Sequence, residues 1–193
     1  MKVVAFNASA RKDGNTAILL GHVLAELEQA GVATELVQLA GKRITGCTAC
    51  LKCAEVKDGR CHGVKDDGVN ECIDKMLAAD GVILGSPTYY ANCTAAAQAL
   101  MERAGYATRQ SGSNPLAGKL AAGVVAVRRA GAMHALDSLN HWFLINEMLL
   151  VGSTYWNIAI GQEIGAVARD DEGVQTMRNL GRNMAAVLTK LRA

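Results

Sequence analysis

Four of the six cysteines crowd into one stretch, Cys47-x-x-Cys50-x-x-Cys53 and then, after seven residues, Cys61. A loop at that spacing can turn three thiolates toward one centre, and soft thiolates select iron–sulfur clusters, zinc or cuprous ion. Ferredoxin-type sites use a similar triple with a fourth cysteine nearby, but a proline follows that cysteine, whereas His62 follows Cys61 here. Thiols that hold no metal are the competing reading. Cys72 and Cys93 fall on or near expected helices, where a lone cysteine packs as a small hydrophobe.

Three further segments carry groups that suit a ligand. The first reads Asn7-Ala8-Ser9-Ala10-Arg11-Lys12-Asp13-Gly14-Asn15-Thr16. Ser9, Asn15 and Thr16 can donate hydrogen bonds, Arg11 can neutralise an anion, and Gly14 allows close backbone approach. It has neither the three-glycine dinucleotide spacing nor the Gly-Lys-Ser/Thr ending of a Walker loop, and a plain turn capped by Asn15 or Thr16 is the alternative. The second, Gly85-Ser86-Pro87-Thr88-Tyr89-Tyr90-Ala91-Asn92, makes a rigid turn that displays aromatic faces and backbone amides, a fit for a flat heterocycle. In the third, Val127-Arg128-Arg129-Ala130-Gly131, two arginines can face an electron-rich ring edge or phosphates, or simply form a solvated pair.

The elements that must position these segments follow from hydrophobic periodicity. Residues 2 to 7 read as a strand, and Leu20, Val23, Leu24 and Leu27 mark a helix at i, i+3, i+4, i+7. Further strands fit Ala33 to Leu39, Gly81 to Gly85, Ala121 to Val127 and Met148 to Val151. Helices fit Val69 to Ala79, Thr94 to Ala107 and Met133 to Glu147, and a last one carries the stripe Met177, Leu180, Met184, Val187, Leu188 and Leu191. Short apolar strands alternating with helices predict a five-stranded parallel sheet covered on both faces, an α/β fold. The one long irregular piece, Ala40 to about Gly68, holds the cysteines. In an open sheet of this kind ligands bind beyond the carboxyl ends of the strands, so the loops after strands one, three and four should converge; backbone amides opening the first helix favour phosphate there.

Composition narrows the classes. A chain of 193 residues, 50% hydrophobic and 20% charged with a net charge of +2, suits a single domain over 1–193. It has no polybasic footprint for nucleic acid or anionic lipid. The apolar start is too short for a signal core and no stretch spans a membrane, so the expected place is the cytoplasm. In that reducing compartment clustered cysteines read as ligands or redox thiols rather than disulfides. Aromatics are only 4% of the chain, and most stand in pairs: Tyr89–Tyr90, Trp142–Phe143 and Tyr155–Trp156. Trp142 and Phe143 read as helix packing.

Ser-x-Arg-x-x-Gly-Asn-Thr after a first strand resembles the phosphate loop of the flavodoxin-like NADPH-dependent FMN reductases. Gly-Ser-Pro-x-Tyr is similar to the segment of that family that contacts the flavin ring. The resemblance implies a three-layer sandwich with strand order 2-1-3-4-5. It further implies FMN contacts at Ser9, Arg11, Gly14, Asn15, Thr16, Ser86, Pro87, Thr88, Tyr89, Tyr90 and Asn92, and at Arg128, Arg129 and Gly131, although many relatives have glycines where the arginines stand. The compact cysteine spacing resembles the iron-sulfur flavoprotein branch, which implies a [4Fe-4S] cluster on Cys47, Cys50, Cys53 and Cys61. Asp66 and Asp67 resemble a paired Asp that follows the cysteine loop in relatives; a solvated loop or a helix cap explains them equally well. Tyr155-Trp156-Asn157 and Asp170-Asp171-Glu172-Gly173 also resemble one branch of the family.

The implied activity is an FMN-dependent oxidoreductase that takes hydride from NADH or NADPH and passes electrons to an acceptor, with a ferredoxin-type carrier as one candidate. The implied assembly is a homodimer or homotetramer with Tyr155 and Trp156 at an interface. The alternative class is an iron–sulfur or thiol redox sensor, or a metal-binding module, with a purely structural flavin; a third is a phosphate-binding fold serving another ligand.

Overall fold

The apolar run that opens the chain forms β1 (Lys2–Asn7), whose side chains divide between the two faces of a sheet: Val3 and Ala5 enter one core, Val4 and Phe6 the other. The computed structural model describes residues 1–192; Ala193, the end of the expected domain, lies outside the described residues. After β1 come α1 (Asn15–Gln29), β2 (Ala33–Gln38), a short α2 (Lys52–Val56), α3 (Val69–Ala78), β3 (Gly81–Pro87) and α4 (Ala95–Arg109). The chain continues through β4 (Leu120–Val127), α5 (Ala132–Ile145), β5 (Leu149–Leu150), β6 (Ile158–Ile160), a 3-10 turn at Ala166–Arg169 and α6 (Asp171–Arg192).

The strands are parallel in the order β2-β1-β3-β4-β5, the flavodoxin-like arrangement. The central strands β3 and β4 are buried almost throughout, as expected of parallel strands covered on both faces. On one face α1 and α6 pack Leu19, Leu20, Val23, Met177 and Leu180 against Val3, Ala5 and Ile83. On the other, α3, α4 and α5 bring Ile73, Met76, Leu100 and Phe143 onto Val4, Phe6, Val82 and Leu84. Each fully buried Leu or Phe contributes about 1.5–3 kcal/mol. Trp142 locks α5 to α4 by donating its indole N–H to the Met101 carbonyl at 2.7 Å.

The fifth position of the sheet differs from the expected continuous strand. Two short pieces share it: β5 pairs with Leu120 and Ala121, and β6 pairs with Val125, Ala126 and Val127. Between them the chain leaves the ladder, because its polar groups are satisfied by α6 instead. Asn183 donates to the Gly152 carbonyl at 2.9 Å, and Ser153 donates to the Thr176 carbonyl at 2.6 Å. That excursion carries Tyr155 and Trp156 outward. Among the described residues no helix is long and apolar enough to cross a membrane.

Candidate functional site

The loops after β1, β3 and β4 meet at the carboxyl end of the sheet. Thr94 donates from its hydroxyl to the Ala8 carbonyl at 2.9 Å, tying the β3 loop to the β1 loop. Gly131, in the left-handed region at φ +84, lies so close to Ala91 that a Cβ there would stand 2.9 Å from the Ala91 Cα, tying the β4 loop to the β3 loop. Between the three loops is a cavity of about 180 Å³ lined by Ser9, Arg11, Thr16, Thr88, Tyr89 and Arg128, with Pro87 and Gln162 beside them.

Two features prepare this cavity for an anionic, hydrogen-bonding ligand. The hydroxyls of Thr16 and Thr88 are buried and have no partner within the described residues. A buried hydroxyl left so costs about 1–3 kcal/mol, which a ligand acceptor recovers. The first turn of α1 has no acidic side chain, and its N-cap, Gly14, supplies no side-chain cap. Its amides are therefore left for an anion. The loop is bent tightly by Arg11 N–H to the Ser9 hydroxyl at 3.1 Å and Gly14 N–H to the Arg11 carbonyl at 3.1 Å. A Cβ on Gly14 would stand 2.9 Å from the Arg11 Cβ, so the turn requires glycine.

Several expected contact residues have other duties. Both amide protons of Asn15 are used, on the Gly161 carbonyl at 3.1 Å and the Glu163 carbonyl at 2.9 Å, and its oxygen accepts from the Gly165 N–H at 2.9 Å. Its side chain thus clamps residues 161–165 at the wall of the cavity, which Asn15 also lines. The Ser86 hydroxyl donates to the Pro87 carbonyl at 2.8 Å and accepts from the Thr94 N–H at 3.0 Å, so it shapes the turn. Asn92 pairs its backbone with Tyr89 and accepts from the Cys93 N–H at 2.8 Å. Tyr90 is fully exposed, in left-handed conformation, and lines neither this cavity nor its neighbour. Arg129 and Gly131 face a second cavity of about 340 Å³ with Met133, Tyr155, Trp156 and Ile160, while Arg128 faces the first. Tyr155 and Trp156 meet edge to face at 4.5 Å there, and both are half-exposed. Gln162 was not among the expected residues; it arrives through the loop that Asn15 clamps.

The cysteine stretch is a winding loop with left-handed residues at Ala49, Leu51 and Lys57. Cys47 and Cys50 are exposed, Cys53 is buried and Cys61 is half-buried. Hydrogen bonds already reach two of the sulfurs: Ala49 N–H donates to Cys47 Sγ at 3.4 Å, and a side chain of α4 donates to Cys61 Sγ at 3.2 Å. Among the described residues no three Cys, His, Asp or Glu side chains stand close enough to hold a metal ion. The expected four-cysteine ligand set is therefore not converged in this conformation: Cys47 Sγ accepts from Ala49, Cys50 Sγ lies against Gly63, and Cys61 Sγ is held by Arg103.

What holds that loop is a residue absent from the expected set. Arg103 on α4 is buried and spends every guanidinium N–H on the cysteine loop. Nε donates to Cys61 Sγ at 3.2 Å. Nη1 donates to the Thr45 carbonyl at 3.3 Å and to Asp67 Oδ2, and Nη2 to the Val64 carbonyl at 3.1 Å and Asp67 Oδ1 at 3.3 Å. Its neighbour Glu102 accepts from the Cys47 N–H at 3.0 Å. Burial works to raise the Cys61 thiol, but the Arg103 hydrogen bond and the amides of Gly63 and Val64 outweigh it and bring the thiol below its ordinary value. Burial pushes Cys53 up and takes Cys72 to about 11. Asp67 is thus a buried ion-pair partner that also accepts from the Val69 N–H at the start of α3, whereas Asp66 is exposed.

Residues 1–163 match the model of the family described as NADPH-dependent FMN reductase. An iron-sulfur flavoprotein of Methanocaldococcus jannaschii is 34% identical over 198 residues, covering 97% of each chain. One of Archaeoglobus fulgidus is 32% identical over 197 residues, covering 98% of this chain and 92% of that protein. Among solved structures, an NAD(P)H:quinone oxidoreductase from Methanothermobacter marburgensis superposes with a TM-score of 0.73 at 16% identity, covering 95% of this chain and 96% of that one.

Proposed function

Because the chain belongs to the NADPH-dependent FMN reductase family, within its iron-sulfur flavoprotein branch, and is an FMN-dependent oxidoreductase, we propose that it oxidises NADH or NADPH and passes the electrons to an acceptor. The observation that carries this reading is the pair of buried, unpartnered hydroxyls of Thr16 and Thr88 in a cavity with Ser9 and Arg11. These residues fit FMN. Ser9, Arg11, Thr16 and the opening amides of α1 would bind the phosphate, and Pro87, Thr88, Tyr89 and Arg128 would orient the ring. FMN when bound accepts hydride at its N5 and releases electrons singly or in pairs. The Gly131–Ala91 contact keeps the two ring-side loops in register, and Asn15 holds the 161–165 loop as a wall that limits water. Arg129, Tyr155 and Trp156 line the neighbouring cavity, a place for nicotinamide or acceptor to approach.

The four thiols in one loop, with N–H donors already aimed at the sulfurs of Cys47 and Cys61, fit a [4Fe-4S] cluster in their donor chemistry. Cys53 and Cys61 would supply the pre-set ligands. Cys47 and Cys50, both on exposed parts of the loop, would complete the set by side-chain rotation, which costs little there. A cluster there would carry single electrons to a ferredoxin-type carrier. In this reading the chain is one flavodoxin-like domain of the cytoplasm, where thiols stay reduced. Tyr155, Trp156, Leu149, Leu150 and Ile160 form an exposed apolar edge suited to a homodimer or homotetramer.

A redox sensor with a structural flavin is favoured by one observation, the low thiol of Cys61 without a converged ligand set. Anaerobic mixing of FMN-loaded protein with NADPH or NADH separates the two readings. Rapid bleaching of the flavin absorption, restored by an added acceptor, is expected; slow bleaching without turnover would overturn the oxidoreductase reading in favour of the sensor.

A further inference from the structure

The two ends of the cysteine loop are gripped by consecutive residues of one helix. Glu102 takes the N–H of Cys47, and Arg103 takes the sulfur of Cys61. Arg103 is the largest fully buried side chain among the described residues, and burying a guanidinium with every donor engaged is justified energetically only if its partners are all present. Those partners are Thr45, Cys61, Val64 and Asp67, which bracket the four cysteines in sequence. A loop anchored only for stability would need the backbone carbonyls and Asp67; the Nε–Sγ contact adds a charged donor to a sulfur. Hydrogen bonds to ligand sulfurs and nearby positive charge favour the more electron-rich state of an iron–sulfur group.

Resting on the cluster reading above, we propose that Arg103 is the positioning residue of the cysteine loop: through its Nε–H on Cys61 Sγ it fixes that ligand and raises the reduction potential of the group the loop holds. One electron from a reductant enters the cluster and no bond is made or broken at Arg103, which remains protonated throughout. The α4 grip anchors the loop at both ends, at the backbone of Cys47 and at the sulfur of Cys61, so that the ligand set has only to close between two fixed points.

The test uses full-length protein reconstituted anaerobically with FMN, iron and sulfide, as wild type, Arg103→Lys and the pair Arg103→Gln with Asp67→Asn. Arg103→Lys keeps the charge but lacks the planar fork that serves Asp67 and the sulfur together. The double variant removes the charge from both partners, so that no carboxylate is left buried alone. Iron and sulfide per chain are counted, and the midpoint potential is read by electron paramagnetic resonance during a dithionite titration. A more negative midpoint in both variants, the larger shift in the double variant, is the expected result. Iron lost from the variants while FMN binding is retained also supports the assignment. Full iron content with an unchanged midpoint overturns it, as does joint loss of iron and FMN, which would make Arg103 a residue of the fold alone. Wild-type protein that takes up no iron overturns the cluster reading itself and this inference with it, an outcome distinct from the others.

Discussion

The phosphate loop and the cysteine loop are built by opposite means. The first is short, leaves β1 directly and enters α1, so the sheet places its groups before any ligand arrives. The second runs from the end of β2 to α3 with only the short α2 inside it, and the buried Arg103 holds it with help from Glu102 and Asn70. A site made by a sheet presents unpartnered donors at fixed points, here Thr16 and Thr88. A site made by a long loop trades that rigidity for sulfurs able to converge. The two differ accordingly in what single substitutions should do.

The largest effect is expected where one side chain serves a whole loop. Arg103→Leu should cost about 3–5 kcal/mol in urea unfolding, because Asp67 is left buried and unpaired; adding Asp67→Asn should recover part of it. A loss under 1 kcal/mol would mean that the loop is anchored elsewhere. On the sheet side, Thr16→Val should leave unfolding stability unchanged or slightly higher, since an orphaned hydroxyl is removed. The same change should weaken FMN binding by about tenfold or more, in keeping with a hydrogen bond to a charged group of about 1.5–3 kcal/mol. Asn15→Ala should cost about 1–2 kcal/mol and speed amide exchange at residues 161–165 without disturbing the cysteine loop. Exchange that rises equally in both regions would erase the distinction.

The smallest effect lies within the cysteine loop itself. In cluster-free protein the thiolate is the reacting form. Cys61 is lowered by Arg103 and two amides against the pull of burial, and Cys53 is raised by burial. As pH rises, alkylation should therefore begin at lower pH on Cys61 than on Cys53, read by peptide mass spectrometry. Onset at the same pH would contradict the Arg103 contact.

Periodicity was enough to locate β1 to β4 and the main helices, because these are long and pack on a period of 2 or 3.6. It missed β6, whose three residues are too few to show alternation, and it read β5 longer than its two paired residues. In the site, Ser9, Arg11 and Thr16 are expected at a phosphate from their types and Thr88 at the ring from the resemblance, and all four line one cavity. Asn15 is expected as a donor and Ser86 as a contact from the resemblance, and only the tertiary bonds to Gly161, Glu163 and Thr94 reveal the protein partners their side chains already have. Arg103 was legible in principle. It falls on the apolar stripe of α4 between Leu100 and Ala107, and a charge there needs a buried partner. Without a fold, nothing tied it to Asp67 or Cys61 far away in sequence.

The most direct measurement is a pair of fluorescence titrations of flavin-free protein, one with FMN and one with riboflavin, which lacks only the phosphate. If the β1 loop and the start of α1 hold that phosphate, FMN binds one per chain and riboflavin binds far more weakly, and Arg11→Ala and Thr16→Val narrow the gap. Equal affinity for the two flavins, or no binding of either, would contradict the account.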